Sequence, residues 1–178
     1  MKFIEQLAGW MRPVLDLPPV QRTRRNHGLE HATIHVLSSR VRGLQMAGRS
    51  DAGGFVLLGD APTEQIERAV NDALKRMQAG EHQLAVHPNC GTNLVTTGLM
   101  TTSAALLGFA GTSRRVAWER LPMVLMAVMA TILFSQPIGL SLQKYITTDG
   151  DPRNLEIVSI VRREVGSMTV HRVTTKSS

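Results

Sequence analysis

Two stretches without a charged residue, residues 94–111 and 121–143, constrain this chain more than any other feature of its sequence. Each comes near the ~20 residues that an α-helix needs to cross about 30 Å of hydrocarbon. Arg114, Arg115, Glu119 and Arg120 fall between them, so the pair reads as a helical hairpin with a charged tip. The first stretch is rich in Gly, Ala, Ser and Thr, which let helices approach closely in lipid, and the second in Met, Leu and Val. The soluble alternative is a hairpin buried in a core. A chain of 178 residues leaves little polar sequence to cover two such helices. The expected location is therefore the cell membrane, multi-pass with two spans at about 92–111 and 121–143, and the expected partner is the lipid bilayer.

Outside this region charge is abundant, in residues 1–85 and 149–178, and the net charge is +6. Basicity alone could suggest nucleic acid, but the chain has one Tyr and few other aromatics to stack on bases. No nucleic-acid partner is expected, and the basic residues suit anionic headgroups. Self-association or a membrane partner stays open. The single cysteine, Cys90, excludes an internal disulfide and is compatible with a reducing compartment. Glu5, Arg12 and Pro13 interrupt any signal-like apolar run at the start. These two features place the polar domain in the cytoplasm, although the arginines between the spans pull the other way.

Four segments follow. Residues 1–20 hold an amphipathic helix in which Phe3, Ile4, Leu7, Trp10, Met11, Val14 and Leu15 recur at helical spacing, ended by Pro18 and Pro19. It suits a membrane surface or the flank of the protein equally. Residues 21–91 begin with a helix over 26–40 capped by Asn26. A hairpin follows, with strands 44–48 and 55–58 around a turn at 50–54. Next comes a helix over 62–78 that buries Ile66, Val70, Ala73, Leu74 and Met77 and stops at Gly80. Residues 92–143 form the transmembrane hairpin, and residues 144–178 carry strands at 155–161 and 168–174. The fold class is α+β: a two-helix transmembrane hairpin inserted in a small α+β domain, with an N-terminal amphipathic helix.

Chemistry concentrates at His27-Gly28-Leu29-Glu30-His31. An i,i+4 histidine pair projects from one helical face within reach of a single ion. H-x-x-E-H is the inverted zinc-peptidase signature, in which the histidines bind zinc and the glutamate takes a proton from the attacking water. His87-Pro88-Asn89-Cys90-Gly91 offers a second pair of donors three apart on a turn, with Cys90 near a helix N-terminus that favours its thiolate. If His27, His31, His87 and Cys90 all bind, the site is closed and structural. If three bind, a position stays open and Glu30 can act as catalytic base. Glu81 is another possible third ligand. His35 lies about two turns from His27, too far to share one ion, and His82 and His171 read as ordinary exposed residues. Zinc is the expected cofactor, with another divalent metal also compatible.

The two motifs, His27 to Ile34 as HG-x-EH-x-TI and His87 to Thr92 as HP-x-CGT, resemble the signatures of the YqhQ-like family of bacterial membrane proteins. They are similar also to a shorter bacterial group with both motifs followed by a hydrophobic hairpin. The resemblance implies a metal-dependent membrane protein with His27, Glu30, His31, His87 and Cys90 as the matched positions, and names no substrate. Two functions remain: a membrane-bound zinc hydrolase or peptidase with Glu30 as base, and a non-catalytic membrane protein whose metal serves assembly or partner binding.

Overall fold

The computed structural model describes residues 2–41, 43–166 and 168–177. Met1 and Ser178, which end the expected first and last segments, lie outside them. Two compact units result, one from residues 2–87 with 144–178 and the other from residues 88–143.

The first unit is the α+β part. It comprises α1 (Lys2–Leu15), α2 (Pro18–Arg40), β1 (Ala47–Asp51), β2 (Gly54–Leu58), α3 (Thr63–Gln78), a short 3-10 turn at His82–Ala85, β3 (Glu156–Val165) and β4 (Met168–Lys176). The strands form one antiparallel sheet in the order β1-β2-β4-β3. The two hairpins, far apart in sequence, meet where Phe55 of β2 pairs with Val173 of β4. Phe55, Leu57 and Val173 belong to one buried cluster with Leu29, Val36 and Leu37 of α2 and Ile66, Val70 and Met77 of α3. The expected single α+β domain is thus present.

Several boundaries move. Pro18 and Pro19 do not only end α1; they start α2, because a proline at the first helical positions lacks only an N–H that would have no helical partner there. Asn26 is therefore no cap. It is fully buried inside α2, donates Nδ2–H to the Asp51 carbonyl at 2.8 Å and accepts from Thr175 Oγ1 at 2.7 Å. The first strand begins at Ala47, not residue 44, and runs through Arg49 and Ser50, which were expected outside it. As an edge strand it can expose polar side chains, and its register is set by pairing with β2 rather than by its own apolar pattern. β3 and β4 run on past the expected ends, to Val165 and Lys176.

The second unit is a helical hairpin of α4 (Gly91–Phe109) and α5 (Arg114–Leu142). Small and polar residues fill the contact. A Cβ on Gly108 would come within 2.5 Å of Val124, and one on Gly139 within 2.2 Å of Asn93. Thr97 and Ser135 share a hydroxyl hydrogen bond of 2.7 Å, and Gln143 donates to Asn93 at 2.9 Å. Large apolar side chains such as Leu107, Leu133 and Phe134 are exposed. Among the described residues one helix, Arg114–Thr147, is long and apolar enough to cross a membrane. The second expected span, α4, falls short on composition because threonine, serine and glycine recur along it.

Candidate metal centre

α2 presents His27, His31 and His35 at successive intervals of four residues, which places them along one face. Each imidazole is fixed from behind by a carbonyl. His27 Nδ1–H donates to Thr147 O at 2.9 Å, His31 Nδ1–H to Ala85 O at 2.8 Å and His35 Nε2–H to Val86 O at 2.9 Å. A carbonyl only accepts, so the bonded nitrogen carries the proton, leaving His27 and His31 to present Nε2 as the lone-pair atom. Metal-ligating histidines are oriented in this way. The His27 and His31 rings lie 4.4 Å apart between centroids.

Gly28 explains how α2 comes so near its neighbours. A Cβ there would lie 2.3 Å from the Asp149 carbonyl oxygen, and the Asp149 N–H donates to Arg24 O at 3.0 Å. The segment that supplies Thr147 thus lies directly on α2. Glycine is needed for this approach.

Glu30 is buried, at 3% exposure, and turns toward β1, where Ser50 Oγ–H donates to its Oε2. Gly48 makes room for it, since a Cβ there would meet Oε1 at 2.2 Å. Burial pushes the Glu30 carboxyl above the usual range, and the Ser50 hydrogen bond and the neighbouring His27 oppose that shift.

Cys90 is buried and caps α4, its Sγ accepting from the Thr92 N–H at 3.4 Å. His27 and His31 each offer a ligand atom, and these atoms lie within 4.8 Å of one another, so the two could share a metal ion. His87 is outside that group. Its ring lies 4.7 Å from His35 and 5.8 Å from His31. Burial first, then His35 and His31, push its pKa down to about 4, so the ring is neutral at pH 7.

Other expectations change. The Glu81 carboxylate is engaged by Arg76, at 3.0 and 2.6 Å, and does not join the histidines. His82 is exposed as expected and donates to Gly150 O. His171 is not exposed: it is fully buried in β4 with Nε2 bonded to Thr63 Oγ1. His35 continues the same helical face, as its four-residue interval indicates, and its distance of about two turns from His27 is what set it aside as a ligand of one shared ion. The position of His87 was not readable from spacing.

Residues 22–160 match the profile of a domain of unknown function, DUF6391. An uncharacterized protein of Picosynechococcus sp. is 31% identical over 144 residues, which cover 68% of this chain and 70% of that protein. No solved structure matches. The likeness to the YqhQ-like family rests on the two short motifs alone.

Proposed function

The chain belongs to the DUF6391 family, and from that premise we propose that it is a membrane-anchored metal-dependent hydrolase whose His27, His31 and Cys90 hold a zinc ion. What carries the reading is the imidazole pair, each ring fixed through Nδ1 by a carbonyl, and the second motif of the sequence supplies Cys90 as the thiolate donor. Two nitrogens and a sulfur suit zinc, and three protein ligands with one position left is the pattern of catalytic rather than structural sites. Zinc, when bound, makes water a stronger acid and polarises a carbonyl. Glu30 supplies the base. Burial raises its pKa, which makes the carboxylate a stronger base. In this reading α4 joins α5 in the bilayer, the polar unit is cytoplasmic, and α1 rests in the headgroup layer through the exposed Phe3, Trp10 and Val14.

One observation favours a second reading. The Glu30 carboxylate is already bonded to Ser50, so Glu30 can serve as a tie between α2 and β1 while the metal stabilises a non-catalytic membrane protein. Glu30→Gln separates the two. On the hydrolase reading the detergent-purified variant keeps its zinc, measured by elemental analysis, and loses cleavage of a fluorogenic casein or ester probe. Wild-type protein that holds zinc but cleaves neither probe, with Glu30→Gln changing only thermal stability, supports the second reading. Wild-type protein without metal overturns both.

A further inference from the structure

His35 and His87 are left over once His27, His31 and Cys90 are grouped, and they face each other. Their ring centroids are 4.7 Å apart, edge to face at 64°, closer than His87 is to His31. His35 lies one interval of four residues beyond His31, about 6 Å along the helix axis. An ion shared by His27 and His31 is out of its reach.

The manner in which His35 is held matches that of its two predecessors. Its Nε2–H donates to the carbonyl of Val86, the residue after the Ala85 whose carbonyl fixes His31. That commits the proton to Nε2 and leaves Nδ1 with the lone pair. Two consecutive carbonyls thus orient two consecutive histidines of α2, and the chain then delivers His87 beside the second of them. Both rings are half-buried, neither enclosed nor out in solvent.

We propose that His35 and His87 form a second metal-binding position next to the first, taking a borderline divalent cation such as Zn2+ or Co2+, with solvent completing its coordination. It rests on the preceding reading only in sharing the same kind of cation, because its ligands are separate. Two imidazoles without a thiolate bind less tightly than two with one, so the second position fills after the first.

Cobalt titration of the metal-stripped, full-length protein in detergent tests this, because a thiolate bound to Co2+ gives a near-ultraviolet charge-transfer band and imidazoles do not. In wild type that band saturates at the first equivalent, while the visible d–d bands grow through a second. His35→Gln and His87→Gln each lose the second equivalent and keep the charge-transfer band. Saturation of wild type at one equivalent, with His35→Gln binding the same amount, overturns the second position and leaves the first intact. Loss of the charge-transfer band in His87→Gln would also overturn it, by assigning His87 to the first ion. If His87→Gln fails to fold by circular dichroism, His35→Asn asks the same question from the half-buried face of α2. Wild type that takes up no cobalt overturns both metal positions together.

Discussion

At the residue scale, the site depends on two glycines as much as on its donors. Gly28→Ala directs a methyl group at the Asp149 carbonyl, and Gly48→Ala directs one at the Glu30 carboxylate. Overpacking of this kind costs typically about 1–3 kcal/mol. Gly28→Ala is the more damaging, because backbone must yield where Gly48→Ala asks only a side chain to move. Thermal unfolding in detergent should show a lower midpoint for both, and zinc content should fall in Gly28→Ala, whose displaced segment carries the Thr147 carbonyl that orients His27. Titration acts at the same scale. His87 has its folded pKa depressed to about 4, from 6.5, and that of His171 is lowered by burial and by Arg162. A depressed folded pKa stabilises fully above the unfolded value and is lost as pH falls through the folded one. Metal-stripped protein should therefore lose stability from about pH 6.5 down toward pH 4. His87→Gln should flatten that slope in a series of melts. Glu30 runs the other way. Its raised pKa favours the protonated folded form, so its contribution is complete below the unfolded carboxyl value and disappears as pH rises through the folded one.

At the scale of elements, α2 is tied to the sheet by a buried side chain. Asn26 bonds to both β1 and β4, and Asn26→Ala would strip this partner from the part-buried Asp51 carbonyl and from the buried Thr175 hydroxyl. Stranded groups cost about 1–3 kcal/mol each. The variant should melt at markedly lower temperature, while Asn26→Asp, which can still accept from Thr175, loses less. This residue also shows why element boundaries were only partly legible. Asn26 has the chemistry of an N-cap, and spacing gave no reason to carry α2 back through Arg25 to Pro18. Helix α3 was readable because Ile66, Val70, Ala73 and Met77 follow one 3.6-residue period. β1 was not, since Arg49 and Ser50 gain their extended backbone from pairing with β2. Within the hairpin, the Thr97–Ser135 hydrogen bond is a point of helix association. A double-mutant cycle of Thr97→Val and Ser135→Ala should give a coupling of roughly 0.6–1.7 kcal/mol.

At the scale of the molecule, the order of segments makes the sheet depend on chain that lies beyond the hairpin. β2 is paired on both sides, by β1 and by β4, and β4 contributes Val173 to the buried cluster. A chain stopped after residue 143 keeps α4 and α5 but loses β3 and β4. Phe55 and Leu57 then lose the cover of their neighbouring strand, and α2 loses the Thr147 carbonyl behind His27 along with its tie to Thr175. The motif H-x-x-E-H was visible in the first 31 residues, yet the group that holds His27 in place comes 120 positions later, which no local pattern reveals. Truncation therefore separates two properties that the intact chain combines. The shortened protein should still sediment with membranes after alkaline carbonate extraction, because it keeps the apolar helix α5, Arg114–Leu142. It should also be cut rapidly by protease within residues 18–87 and retain no zinc. Release of the truncated chain by carbonate would mean that anchoring needs more than the hairpin, and a protease-resistant, zinc-bearing fragment would mean that α2 and α3 form the site without the rest of the sheet.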